Sequence, residues 1–395
     1  MTTTFSLNSK GGTFLGYRRD DGRVGLRNYV LVMSSVSCAN GVVDAVGRAC
    51  PQVKTITHPE GCGRAGEDVR IALRTLIGLG QHPNVAAVIV IGLGCEVLTA
   101  PVVGERIREM GKKVVEFSIQ DVGGTPKATA KGIEIATELL EEVNQLQREE
   151  ASVSELVIGL ECGGSDGLSG VTANPTVGKM SDHVVGAGGT VIFAETTEMF
   201  GTEALLAERA ATPEIAESIY ALIERQKAEA VEAMGPQAAT AISPGNVKGG
   251  LTTIQEKSLG CIIKSGSGTI TEVVDYAIAP TEKGVVVMDT PGSDIFSITG
   301  IAAGGAQIIV FTTGRGSPVG FPIAPVVKVA SNSRLYNMMP DDMDFNAGRV
   351  AEGATLDDLG EELLDLVTRV ASGEETSAEI NKQEMLAIHS VGKVF

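Results

Sequence analysis

Six cysteines stand at positions 38, 50, 62, 95, 162 and 261. Four of them close or follow short β-branched runs: Cys38 in VSCANG, Cys62 in HPEGCGRAGED, Cys95 in GLGCE and Cys162 in LECGGSDG. Each has a glycine or another small residue within two positions, which lets backbone approach a ligand closely. Thiolates on converging loops suit iron, an iron–sulfur cluster or zinc. Taken singly, each thiol reads equally as a small buried hydrophobe. Cys50 in GRACPQV and Cys261 in SLGCIIK sit in apolar helical surroundings and are expected to be structural. Among the four histidines, His58 directly precedes Pro59-Glu60-Gly61-Cys62, where an imidazole could serve as general base or metal ligand. His183 lies on the helix after Cys162 and reads as surface or core, and His82 and His389 read as structural.

A second kind of chemistry is carried by glycine-rich segments. In TTGRGSPVG, Arg315 stands between Gly314 and Gly316 directly after the strand AQIIVF, a placement from which a guanidinium can hold a carboxylate or sulfonate with paired hydrogen bonds. SPGNVKGGLTTIQEKS offers Asn246, Lys248 and the backbone N–H groups around Gly249 and Gly250, and DTPGSD (289–294) is a third polar loop. Turn chemistry with incidental polar side chains explains such segments as well. No GxxxxGK[ST] occurs, and GLGCEV lacks the third glycine of a dinucleotide fingerprint, so a nucleotide cofactor is not indicated.

These residues need a scaffold that brings strand ends together. Runs rich in Val and Ile (28–36, 53–58, 86–94, 113–119, 155–161 and 190–196) alternate with amphipathic stretches (67–79, 101–111, 125–150, 202–211 and 213–234). That alternation predicts βαβ units. Strands return at 284–290 and 306–314 in a Gly-rich setting. The reading is α/β, with two Rossmann-like domains of mostly parallel sheet and acidic C-terminal helices at 355–372 and 376–388. The expected divisions are a flexible N-terminus over 1–15, a first α/β domain over 16–150, its continuation with a helical segment over 151–235, a second α/β domain over 236–350, and the acidic helices over 351–395. Open parallel sheets bind ligands at the carboxyl ends of their strands, where four of the six thiols fall.

Composition bounds the partners. The 395 residues carry 32 Lys and Arg against 49 Asp and Glu, a formal −17 that repels nucleic acid and anionic membrane surfaces. Thirteen acidic and four basic residues follow position 340, so the body is closer to neutral and leaves room for a positively lined pocket. Too few cysteines for a disulfide scaffold, no apolar run of about 18 residues and no secretory signal at the start read together as a cytoplasmic protein.

GYRRDDGRVGLRNYVLV (16–32), GLGCE (92–96), ECGGSDGLSGVTANPTVG (161–178), SPGNVKGGLTTIQEKSLG (243–260), DTPGSD (289–294), TTGRGSPVG (312–320) and PDDMDFNAG (340–348) together resemble the large-domain motifs of the altronate/galactarate dehydratase family. That family also includes the large subunit of (2R)-sulfolactate sulfo-lyase. The resemblance implies an iron-dependent lyase, the metal being Fe2+ or a cluster, with Mn2+ as a further choice. It implies β-elimination from a hydroxy acid: a base takes the C2 proton, the C3 substituent leaves, and the enol becomes a 2-oxo acid. On the sugar-acid reading, altronate loses water to give a 2-keto-3-deoxy acid; on the sulfolactate reading, sulfite leaves and pyruvate forms.

Carried onto this sequence, the resemblance makes Cys62, Cys95 and Cys162, with Cys38 as a further candidate, the metal ligands. His58 is then the base, Lys248 and Arg315 hold the acid group, and Asn174, Asn246, Gly249, Gly250, Gly314 and Gly316 bind substrate. Two departures matter. The small SAF-type domain that begins the sugar-acid dehydratases has no counterpart here, which implies a separate small subunit in a larger oligomer. Phe321 stands where those enzymes are expected to carry a cysteine, which leaves room for sulfolactate. A reading from another class is a non-catalytic iron–sulfur or small-acid binding subunit.

Overall fold

The computed structural model describes residues 12–394. Most of the expected flexible N-terminus lies outside them, but residues 13–15 belong to a strand. β1 (Thr13–Arg18) pairs antiparallel with β2 (Val24–Gly25) on one side and β7 (Glu149–Ser152) on the other. Between these partners run β3 (Tyr29–Ser34), α1 (Asn40–Ala49), β4 (Lys54–Ile56), α2 (Gly66–Gln81), β5 (Val85–Gly92), α3 (Ala100–Arg108), β6 (Lys113–Ser118) and α4 (Thr125–Val143). The four strands β4-β3-β5-β6 form a wholly parallel sheet in that order. Their near-continuous apolar runs follow from burial on both faces by the flanking helices. The helix expected over 125–150 ends at Val143, and Glu149–Ser152 turns into β7 instead.

The rest of the chain builds a larger parallel sheet in the order β10-β11-β9-β8-β12-β13-β14. It comprises β8 (Val157–Cys162), α5 (Ala173–Gly186), β9 (Thr190–Phe193), α6 (Glu203–Ala207), α7 (Pro213–Met234), α8 (Pro244–Lys248), α9 (Ile254–Ile262), β10 (Ile270–Val274), β11 (Gly284–Met288), α10 (Asp294–Ala303), β12 (Ile308–Thr313), β13 (Val326–Ala330), α11 (Ser333–Met338) and β14 (Phe345–Asn346). Segment 151–235 therefore does not continue the first unit. Its β8 and β9 pair with β12 and β11, and α6 to α9 are a helical excursion between β9 and β10 of one sheet. At the end, α12 (Leu356–Ala371) matches expectation, whereas α13 stops at Ile380 (Ser377–Ile380). Lys382 takes φ 54° and the Gln383 N–H reaches back to the Ala378 carbonyl, closing the helix there.

The two sheets are joined at their amino ends. The Asn84 side-chain amide donates to the carbonyls of Gln307 (2.8 Å) and Ile323 (2.9 Å), and His82 Nε2 donates to that of Ala306 (2.8 Å). α2 and α10 pack together so closely that a Cβ on Gly78 would sit 2.2 Å from the Ala303 carbonyl oxygen. Each helix starts at the carboxyl edge of its own sheet and ends at this shared amino side, so both carboxyl edges face the same way. The chain after α13 straps α10 to α2, through Ala387 N–H to Thr299 Oγ1 (3.3 Å) and Val391 N–H to Asp68 Oδ1 (2.6 Å). One apolar core, from Leu31 and Leu76 to Ile301 and Phe311, runs through both units. No helix among the described residues is long and apolar enough to cross a membrane.

Candidate active site

In the larger sheet the chain leaves β8 toward β9 on one side, while β12 lies on the other. Ligands favour such a switch point, because the loops on either side part there. At this carboxyl edge opens a cleft of about 580 Å³ whose lining includes Lys248, Gly249, Gly314, Arg315, Asn332 and Arg334. Among the described residues the side chains of Lys248, Arg315 and Arg334 have no hydrogen-bond or ion-pair partner. The one carboxylate beside them, Asp166, is already committed to Ser169, Ser331 and Asn332. Gly314 is required for that arrangement, since a Cβ there would fall 2.4 Å from Asp166 Cγ.

A second cleft of about 740 Å³ adjoins the first across Gly164 and Asn246. Arg315 forms part of the boundary, its Cβ and Cγ lying 3.0–3.1 Å from where a Cβ on Gly164 would be. The floor of this cleft is a buried ionic cluster. Glu195, at φ 63°, accepts the Cys162 N–H (2.8 Å) and the Lys264 ammonium (3.0 Å) on one carboxylate oxygen. Glu198 accepts Lys257 on its Oε1, and its Oε2 lies 2.6 Å from Cys162 Sγ and 3.6 Å from Lys264 Nζ. Burial raises the Glu195 carboxyl, with help from the neighbouring Glu198 charge, to about 7. Burial would raise Glu198 too, but Lys257 and Lys264 overcome it and hold that group at about 2. Burial likewise pushes Asp294, on the same cleft, above the usual carboxylate range. Beneath the cluster, burial and the Glu195 charge hold the Glu161 carboxyl well above its ordinary value.

The residues expected from the sequence are thus only partly assembled. Lys248, Arg315, Gly249 and Gly314 share the first cleft, and Asn246 lines the second with its Oδ1 on the Ser165 N–H (3.0 Å). Gly250 and Gly316 lie on the same loops, outside the lining. Asn174 accepts from Thr312 Oγ1 (2.9 Å) and donates to the Gly260 carbonyl (2.9 Å), so it joins β12 to α9.

The expected cysteine set divides between the two sheets. Cys38, Cys62 and Cys95 are exposed on the edge of the smaller sheet, whereas Cys162 is buried in the larger one, 3.7 Å from Cys261. Cys261, read from sequence as structural, is therefore part of the cluster, and Glu195, Glu198, Lys257, Lys264 and Arg334 are site residues that the sequence reading passed over. His58 belongs to the smaller sheet and is 2% exposed. Its Nε2 donates to the Ser34 carbonyl (2.8 Å), which leaves Nδ1 as a buried lone pair with no partner. Burial lowers its pKa, so the ring is neutral.

Two places bear on the iron expected from sequence. Cys162, Glu198 and Cys261 are the one set of three among the described residues whose ligand atoms lie within 4.8 Å of one another. The donors suit a borderline metal, but the charges around them do not. Lys257 and Lys264 already neutralise Glu198, and contact with Cys261 together with burial keeps the Cys162 thiol protonated. A cation there would face two ammonium groups at close range, so this set does not fit the metal. The exposed thiols of Cys38, Cys62 and Cys95 on the smaller sheet belong to no set among the described residues whose ligand atoms lie within 4.8 Å of one another.

Comparison with known proteins agrees on one group. A family model described as D-galactarate/altronate dehydratase, C-terminal, matches residues 153–394, and one described as D-galactarate dehydratase/altronate hydrolase, second domain, matches residues 16–144. The altronate dehydratase of Bacillus subtilis (strain 168) is 37% identical over 400 residues, spanning 98% of this chain and 79% of the relative. The galactarate dehydratase (L-threo-forming) of Escherichia coli (strain K12) is 38% identical over 388 residues, spanning 93% and 74%. The (2R)-sulfolactate sulfo-lyase subunit beta of Chromohalobacter salexigens is 39% identical over 382 residues, spanning 94% of this chain and 96% of the relative.

Proposed function

The chain belongs to the D-galactarate/altronate dehydratase family, whose relatives are lyases, and we propose that it dehydrates a sugar acid such as altronate to a 2-keto-3-deoxy acid. The observation that carries this reading is the trio Lys248, Arg315 and Arg334, three cations without partners in one cleft of a protein of net charge −17. Such a cleft takes an anion. Arg315 and Lys248 hold the substrate carboxylate, and Arg334 adds a third positive charge. The carbon chain then extends past Gly164 into the adjoining cleft, where the Asn246 amide can donate to a hydroxyl.

There Glu195, poised at about 7, takes the C2 proton. The electron pair moves toward the carboxylate to give an enediolate, which the cations at the carboxylate and the Lys257 ammonium stabilise. As the C2–C3 double bond forms, the C3 hydroxyl leaves as water with a proton from Asp294, and the enol tautomerises to the 2-oxo acid. Two carboxyls with separated environments divide the base and acid roles. Iron, when bound, supplies Lewis-acid stabilisation of developing negative charge.

The test is 2-oxo acid formation from altronate and galactarate under anaerobic conditions, with iron supplied. Arg315→Gln and Lys248→Gln are expected to raise KM about ten- to a hundredfold, as loss of a charge-assisted hydrogen bond does. Glu195→Gln is expected to lower kcat by about 10²–10⁴ with KM little changed. An unaltered KM in both cation variants rejects the acid site, and full activity in Glu195→Gln rejects the base. Should His58→Gln alone abolish exchange of the C2 proton with solvent, the base is on the smaller sheet.

The second reading, (2R)-sulfolactate as substrate, has its own support: the sulfo-lyase subunit is matched over 96% of its length, and Phe321 is a buried core residue. Sulfite release from sulfolactate, without turnover of sugar acids, would decide for it. Binding of either acid with no product would decide for a non-catalytic subunit. The proposal includes two Rossmann-like units and a reducing, cytoplasmic setting in keeping with six free cysteines. It also includes an oligomer with a separate SAF-type small subunit, supported by the exposed apolar Leu168, Val171, Val247 and Met338 around the cleft.

A further inference from the structure

Glu195 is one of three non-glycine residues at positive φ among the described residues, with φ 63° and ψ 68°. A left-handed backbone is costly for a residue that carries a Cβ, and it persists only where the surroundings over-determine it. Glycine or asparagine fills such a turn more easily, so a glutamate here is explained by its carboxylate and not by the turn. What enforces the turn is the polar loop DTPGSD (289–294), which leads from β11 into α10.

The Glu195 N–H donates to Thr290 Oγ1 (2.7 Å). Thr290 Oγ1 lies 2.9 Å from Ser297 Oγ on α10, and the Ser297 hydroxyl donates to Glu161 Oε2 (2.7 Å) near the end of β8. Each hydroxyl has one proton. Because that of Ser297 goes to Glu161, that of Thr290 goes to Ser297, and a lone pair of Thr290 is left facing the Glu195 N–H. The chain therefore runs one way, from the Glu195 amide to the Glu161 carboxyl, through groups that are all buried. With its carboxyl held well above the ordinary range by burial and the Glu195 charge, Glu161 serves as a neutral acceptor, and its Oε1 has no partner.

The loop and the turn are also stitched together directly. The Thr196 N–H donates to the Thr290 carbonyl (3.1 Å), the Thr290 N–H to Thr196 Oγ1 (3.3 Å), and Thr196 Oγ1 to Asp289 Oδ1 (2.8 Å). A Cβ on Gly292 would collide with Thr197 Oγ1, so the loop sits against the turn. The far end of Glu195 is held from β8 as well, since the Cys162 N–H donates to its carboxylate (2.8 Å). Consecutive residues of β8 thus fix Glu195 at both ends, Cys162 directly and Glu161 through Ser297 and Thr290.

We propose that Thr290, Ser297 and Glu161 are positioning residues, whose hydrogen-bond chain holds the left-handed turn at Glu195 and so fixes where its carboxylate stands against the substrate. The inference rests on the reading of Glu195 as the base; the turn itself is observed without turnover, so either can fail alone.

The experiment sets variants of the full chain that break the chain of hydrogen bonds against variants that keep it. Thr290→Val, Ser297→Ala and Glu161→Leu break it, whereas Thr290→Ser and Glu161→Gln keep it. In anaerobic assays with altronate, the breaking variants are expected to lower kcat about ten- to a hundredfold, as a displacement of about 1 Å does, with KM within about twofold of wild type. Thr290→Ser and Glu161→Gln are expected to keep most of the activity. The crystal structure of Thr290→Val is expected to show Glu195 at negative φ. Glu195 still left-handed in that structure, a KM raised as much as kcat falls, or Glu161→Gln as impaired as Glu161→Leu overturns the proposal. A turn that flips with kcat unchanged upholds the clamp and removes Glu195 as the base.

Discussion

Glu195, Glu198 and Lys264 form a buried ionic group in which one ammonium serves two carboxylates. Removing one member of such a group costs more than the group contributes, because a buried charge is left uncompensated. Lys264→Met is therefore expected to destabilise the fold by about 3–5 kcal/mol. The loss should depend on pH. Glu195 is raised in the folded state from 4.5 to about 7, and loss of Lys264 removes a charge that lowers it, so its pKa moves further up. A raised carboxyl binds more protons folded than unfolded, so stability falls as pH rises through that window. Urea unfolding should show a smaller deficit for Lys264→Met at about pH 6 than at about pH 8; an equal deficit at both would mean that Glu195 does not take up the charge. In wild type the same group predicts an acidic limb near pH 7 in kcat, absent from the residual activity of Glu195→Gln.

The elements that position these groups were unevenly legible. The runs NYVLVMSSV, AAVIVIGLG and AQIIVFTTG gave β3, β5 and β12 to within two or three residues, because a fully buried parallel strand must be apolar on both faces. Which strands share a sheet is not encoded locally: β9 finds its neighbour β11 only across the excursion α6 to α9. For the same reason Cys162 and Cys62, equivalent as strand-end thiols in sequence, fall on different sheets. Cys261 could have been read differently. Lys257, Cys261 and Lys264 are spaced i, i+4, i+7 on one helical face, and two lysines flanking a cysteine on an inward face call for buried acids opposite them. Packing between α2 and α10 sets how the two carboxyl edges lie. Gly78→Ala must push Ala303 away and is expected to destabilise by about 1–3 kcal/mol, measured as a lowered urea midpoint. If the midpoint is unchanged, the helices are not in contact at that point.

Across the whole molecule, a tie remote from the active site fastens the C-terminal helices to the smaller unit. Arg27, just before β3, holds Glu379 of α13 through two parallel contacts of 2.9 Å and also donates to the Val370 and Glu374 carbonyls (2.8 Å each). Burial raises the Glu379 carboxyl, but Arg27 outweighs it and holds the group below its ordinary value. For a lowered carboxyl, the stabilisation is present above the unfolded pKa and is lost as pH falls through the folded one. Glu379→Gln leaves the guanidinium buried without its charge partner, which at neutral pH costs about 3–5 kcal/mol. As pH falls below the ordinary carboxylate range wild type loses the same carboxylate by protonation, so the two stability curves should converge in acid. Substrate KM should stay at the wild-type value, because the tie lies at the amino side of the sheets and the cationic cleft at the carboxyl edge. A KM change as large as that of Arg315→Gln would mean that the C-terminal helices also set the shape of the acid site.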